Sequence, residues 1–127
     1  MRILLADDQA ELPTTMQLWL KQLAGFVLVG VVTDVTALLA QVPALQPDIL
    51  LFDWSLPGLT DMAARRQLLE DLRQLAPTMR IVALTTEPVS LRHALIHHVD
   101  AFVSKSESPE YLAQVLMRLQ KILSENQ

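Results

Sequence analysis

The sequence contains no cysteine among its 127 residues, which excludes a disulfide scaffold, cysteine-ligated zinc and thiol chemistry. It is also short of positive charge, with 10 Lys+Arg against 14 Asp+Glu and a formal net charge of −4. A surface that tracks phosphates needs a basic patch, and here the basic residues are scattered, so the composition argues against nucleic-acid binding by this domain. No stretch approaches the roughly 18 uninterrupted apolar residues of a membrane span. The opening MRILLADDQ turns acidic before a signal-peptide core could form, so the expectation is a cytoplasmic protein with no membrane partner. Internal repeats, low-complexity stretches and linkers are also missing.

What the chain does have is apolar residues, 51% of the total. At this length a single hydrophobic core buries roughly two-thirds of the unfolded chain's surface, so residues 1–127 are expected to form one domain. Short apolar runs alternate with longer segments of helical period, the pattern of a parallel sheet with helices on both faces. Five such pairs fit. The expected strands are Ile3 to Ala6, Phe26 to Val32, Ile49 to Phe52, Ile81 to Leu84 and Ala101 to Val103. None alternates with polar residues, as expected for strands covered on both faces.

The first expected helix comes after Asp8, with Leu12, Met16, Trp19, Leu20 and Leu23 at helical spacing, Pro13 in its first turn and Gly25 as its stop. The second begins near Asp34 and carries Val35, Leu38, Leu39 and Val42 before Pro43. For the third, Thr60 is the expected cap, Leu68, Leu69, Leu72 and Leu75 the buried stripe, and Pro77 the end. The fourth, around Leu91 to His98, is short and weakly patterned. The fifth has the clearest start signal, with Ser108 as cap and Pro109 at the first helical position. It continues through Leu112, Val115, Leu116, Leu119, Ile122 and Leu123 to a polar tail, SENQ.

In an open parallel sheet, ligands bind beyond the carboxyl ends of the strands. Asp7 and Asp8 come after the first strand, Asp53 after the third, Thr85 after the fourth and Lys105 after the fifth, so polar groups collect at one edge of an otherwise apolar sheet. Two unit charges about 4 Å apart at an effective dielectric near 20 interact by roughly 4 kcal/mol, so three converging carboxylates must be neutralised. A proton would do this by raising one pKa. A hard divalent cation does it without giving up the charges, and an oxygen-only site with few protein ligands suits Mg²⁺. Lys105 adds a positive charge able to reach a carboxylate or phosphoryl oxygen. Asp53 is the best candidate nucleophile, because an aspartyl phosphate there would have its oxygens held by metal, Lys105 and the Thr85 hydroxyl.

These residues resemble a known family, the receiver domain of bacterial two-component response regulators. The resemblance runs from Met1 to about Leu123. It rests on RILLADDQ with its acidic pair, DWSLPG with an aspartate three residues before LP, the VALTT ending of the fourth strand, and DAFVSK with its lysine. The resemblance implies a doubly wound, flavodoxin-like α/β fold with a five-stranded parallel sheet of order 2-1-3-4-5. It also implies phosphorylation of Asp53 by a sensor histidine kinase or phosphotransfer protein, and Mg²⁺ bound by Asp8, Asp53 and the Ser55 carbonyl, with Asp7 acting through water. Thr85 corresponds to the hydroxyl that moves toward the phosphoryl group, Lys105 to its cationic partner, and Phe102 to the aromatic whose rotamer responds. Pro57 and Gly58 match the turn after the phosphorylation site. The implied output is an output domain or partner protein, with homodimerisation left open. Only self-phosphorylation and self-dephosphorylation are expected, not turnover of a separate substrate.

The chain departs from the family pattern at His98-Val99, where Gly-Ala is usual, at Asp61, where glycine is common, and at Thr86, where a small residue usually comes after the switch hydroxyl. Ser55 and Glu87 occupy positions that, by resemblance, tune phosphoryl lifetime. Thr86 and His98-Val99 leave room for a pseudo-receiver, a phosphorylation-independent interaction module, although Asp53, Thr85 and Lys105 are all present. A flavin-binding relative of the same fold class would need glycine- and hydroxyl-rich donors after the first strand, where this chain has DDQAE. A dehalogenase-like phosphatase would need an aspartate where Ser55 stands. Trp54 is expected to pack beside the site. His93 and His97 are one helical turn apart but find no third ligand, and are read as solvated.

Overall fold

The computed structural model describes residues 1–8, 18–20, 22–59, 61–85, 99–104 and 109–125. Five strands are seen among them, β1 (Arg2–Ala6), β2 (Val27–Val32), β3 (Ile49–Asp53), β4 (Arg80–Thr85) and β5 (Ala101–Ser104). The helices are α1 (Val35–Leu45), α2 (Met62–Leu75) and α3 (Pro109–Glu125), and residues 18–20 are also helical. Every strand pairing is parallel and the order is β2-β1-β3-β4-β5, as the resemblance implied. Each strand matches its expected position to within one residue at either end. No helix among the described residues is long and apolar enough to cross a membrane.

Successive strand side chains point to opposite faces, and so the apolar runs feed two cores. On one face Leu4, Leu50, Phe52 and Ile81 pack under Leu38 and Val42 of α1 and Leu68, Leu69 and Leu72 of α2. On the other, Ile3, Leu5, Leu51, Val82 and Val103 pack under Leu112, Val115, Leu116 and Leu119 of α3, joined by Leu20 and Phe26. Strands with both faces covered need no polar alternation, which is why β3 is buried throughout.

Four local expectations are corrected. α1 does not stop at Pro43 but runs to Leu45, with Gln46 in the left-handed region donating its N–H to the Val42 carbonyl at 2.9 Å. Proline removes one backbone hydrogen bond. The extra turn is held nonetheless, because Arg2 donates through Nε and Nη2 to the Leu45 carbonyl at 3.1 and 2.7 Å. The cap of α2 is Asp61 rather than Thr60, its carboxylate accepting the Ala64 N–H at 2.8 Å from extended backbone, and aspartate is the stronger cap. Leu75 is exposed rather than part of the buried stripe, since the helix ends there and Ala76 and Met79 pack on the core instead. The fifth expected helix begins at Pro109 and extends two residues into the polar tail. The fourth expected helix, most of the first, and the caps Thr60 and Ser108 lie outside the described residues.

Asp100 fixes the base of the β4–β5 pair. Its backbone N–H donates to the Ile81 carbonyl at 2.8 Å, and its Oδ2 accepts from the Ile81 N–H at 2.7 Å and from Arg73 Nη2 at 2.9 Å. Its Oδ1 accepts from Arg80 Nη1 at 3.3 Å. The arginines are partly exposed, so their ion pairs are screened, and the bond to the backbone amide carries most of the stabilisation. Asp100→Ala strips that amide of its acceptor and is expected to cost about 1–3 kcal/mol, measured by urea unfolding. A midpoint equal to wild type would contradict this role.

Candidate functional site at the carboxyl edge of the sheet

Register decides what meets at the carboxyl edge. Ala6 lies opposite Phe52 in the β1–β3 pair, and Asp53 opposite Leu84 in the β3–β4 pair. The residues beyond Ala6 therefore emerge beside Asp53, and Thr85 stands one position beyond Leu84. Asp7 is held by its N–H, which donates to the Val32 carbonyl of β2 at 2.9 Å. Asp53 and Thr85 are the last residues of their strands rather than the first beyond them.

Carboxylate oxygens of Asp7, Asp8 and Asp53 lie within 4.8 Å of one another. Asp7 and Asp53 are buried, at 1% and 5% exposure, whereas Asp8 faces solvent. Ordinary caps and surface acids are not assembled in this way. Exposed side chains can drift apart in water, but two buried carboxylates at this separation repel by on the order of 3 kcal/mol at an effective dielectric near 20. Three oxygen donors of hard character, clustered and partly open to solvent, suit a hard divalent cation.

The segment after Asp53 is built as a rigid turn. Asp53 Oδ1 accepts the Ser55 N–H at 2.9 Å, and the Asp53 carbonyl accepts from Leu56 N–H at 3.0 Å. Trp54 N–H donates to the Leu84 carbonyl at 2.8 Å, tying the turn to β4 next to Thr85. Buried Leu56 and Leu59 anchor it. Gly58 adopts φ +105°, and a Cβ there would meet Val35 Cγ2 at 2.9 Å, so this turn requires glycine. The Pro57 carbonyl in turn accepts the Val35 N–H at 3.2 Å, joining the turn to the start of α1.

The structure thus brings together Asp7, Asp8, Asp53 and Ser55, and ends β4 on the buried Thr85. Phe102 is half-buried, its ring 5.4 Å from that of Trp54 in an edge-on arrangement. Lys105, Thr86, Glu87, His93, His97 and His98 lie outside the described residues. Sequence reasoning missed Arg65 of α2, whose guanidinium sits 5.0 Å from the centroid of the Trp54 ring and whose Nε donates to the Trp54 carbonyl at 3.0 Å. No sequence signal singles it out, because the adjacent Arg66 occupies the same early part of the helix and is exposed.

Comparison with known proteins agrees with this fold. The family model of the response regulator receiver domain matches residues 3–117. The transcriptional regulatory protein RcsB of Salmonella typhi is 29% identical over 123 residues, covering 95% of this chain and 56% of that protein. RcsB of Escherichia coli is 28% identical over the same length. The chain therefore spans about half the length of the curated relatives it matches. Among solved structures, the isolated REC domain of RcsB from Salmonella enterica serovar Typhimurium with the phosphomimetic BeF₃⁻ aligns at a TM-score of 0.84. Identity there is 27%, with 95% of this chain and 88% of that one covered. RcsB of the same organism bound to the promoter rprA aligns at 0.81 and 27% identity, covering 94% of this chain and 98% of that one.

The promoter-bound relatives overturn one expectation. Acidic composition led to a partner set without nucleic acid, yet regulators of this kind are solved on promoter DNA. The physical reason is one of scope. The chain spans about half the length of those regulators, and its net charge does not speak for the part of them it does not match.

The acidic cluster generates a test in metal-free buffer. Asp8→Asn removes one exposed member of a repulsive set, and is expected to stabilise the protein by about 0.5–1 kcal/mol, read as a melting temperature raised by roughly 2–5 °C in EDTA. A lowered melting temperature would show that Asp8 is stabilised locally rather than crowded by its neighbours.

Proposed function

The chain belongs to the response regulator receiver domain family, and from that premise we propose that residues 1–127 form one receiver domain that accepts a phosphoryl group on Asp53. The observation that carries the reading is the convergence of the Asp7, Asp8 and Asp53 carboxylates within 4.8 Å at the carboxyl edge of the sheet. The donor set fits Mg²⁺, which Asp8, Asp53 and the Ser55 carbonyl would hold directly and Asp7 through water. When bound, the cation supplies positive charge against the phosphoryl oxygens and the acidic cluster.

In this reading the Asp53 carboxylate attacks the phosphorus of a phosphohistidine donor. The P–N bond breaks with its electron pair kept by the ring nitrogen, the donor leaves as neutral imidazole because its other ring nitrogen already carries a proton, and an acyl phosphate remains on Asp53. Burial of Asp53 keeps bulk water away from that product. The Thr85 hydroxyl and the Lys105 ammonium serve as donors to the phosphoryl oxygens, and Phe102 responds to the movement of Thr85. The chain is a stoichiometric phosphoacceptor and not an enzyme acting on a separate substrate, and it works in the cytoplasm. Its output, by likeness to the promoter-bound relatives, is control of DNA binding through an output domain. A phosphorylation-independent module would share the fold, but the clustered carboxylates favour the phosphoacceptor.

Incubation with ³²P-labelled acetyl phosphate and Mg²⁺ is expected to label the wild-type chain in a hydroxylamine-labile form, and Asp53→Ala to abolish the label. Label persisting in Asp53→Ala, or absent from wild type, would refute the assignment. Asp8→Asn is expected to slow labelling at least about tenfold, as loss of a metal ligand should.

A further inference from the structure

A peptide unit is planar, so the carbonyl of Trp54 and the N–H of Ser55 move as one body. Both ends of this unit are held. At the carbonyl end Arg65 Nε donates at 3.0 Å, and at the amide end Ser55 N–H donates to Asp53 Oδ1 at 2.9 Å. The same guanidinium lies over the indole of Trp54, 5.0 Å from its centroid, and Arg65 Nη1 approaches Met62 Sδ at 3.6 Å. Trp54 is 1% exposed and Arg65 is half-buried, so the contact is partly shielded from water, which strengthens it over an exposed one.

We propose that Arg65 is a positioning residue for Asp53, a role that rests on the phosphoacceptor reading above. The guanidinium polarises the 54–55 peptide and strengthens the Ser55 N–H as donor to Asp53 Oδ1, since hydrogen bonds in a chain reinforce one another. It thereby fixes the carboxylate rotamer and the orientation of the backbone at Ser55. Through the indole it also reaches Phe102, whose ring meets Trp54 at 5.4 Å. α2 is thus wired to the phosphoacceptor through one side chain.

The test monitors Mg²⁺ binding by Trp54 emission in a Trp19→Phe background of the full chain, with beryllofluoride added at saturating metal. Arg65→Met keeps an apolar stem against the indole but lacks the charge and the Nε donor. Its Mg²⁺ affinity is expected to fall about tenfold, in the range seen when groups that orient metal ligands are lost. Arg65→Lys, which keeps a cation without the planar fork, is expected to fall between. Thermal unfolding scans verify that each variant is folded. Wild-type affinity in a cooperatively folded Arg65→Met overturns the proposal while leaving the phosphoacceptor reading intact. Should Arg65→Met not fold, wild-type affinity in Arg65→Lys overturns it. A wild-type protein that binds neither Mg²⁺ nor beryllofluoride overturns both.

Discussion

Like charges held together against their repulsion are the constraint on which this structure depends. The parallel β1–β3 register, in which Ala6 faces Phe52, delivers Asp7 and Asp8 beside Asp53. Two cores flank the sheet, and between them they lock the strands whose ends present the acids. A one-residue slip of β3 would exchange the two faces of every side chain and take Asp53 out of the cluster. The fold is therefore the device that keeps three carboxylates where water alone would separate them.

Strand positions were legible because each is a short apolar run closed by a charged or polar residue, and Ile49–Asp53 shows why: burial on both faces leaves only its last residue free to be polar. Asp7, Asp8, Asp53 and Thr85 could be found by reading the residues just beyond each run. Helix ends were less legible. Pro43 marks a stop by its own chemistry, yet tertiary contacts from Arg2 to the Leu45 carbonyl carry the helix further, to Leu45. Thr60 and Asp61 are adjacent competent caps, and only geometry chooses between them. Arg65 escaped because its role lies in a contact across 11 positions to a backbone carbonyl, which no side-chain motif encodes.

The net charge illustrates a different limit. A value of −4 sums the charge of the whole chain and locates no binding surface. It failed as a statement about partners because the relatives are transcriptional regulators solved on promoter DNA, and this chain spans about half their length.

If the acidic cluster and Asp53 form one cation-assisted phosphoacceptor site, a crystal structure of the chain grown with Mg²⁺ and beryllofluoride tests that claim most directly. The expected result is a beryllofluoride group bonded to an Asp53 carboxylate oxygen, with a cation touching Asp8, Asp53 and the Ser55 carbonyl. Saturating beryllofluoride with nothing bonded to Asp53, or a cation bound away from the three carboxylates, would contradict it.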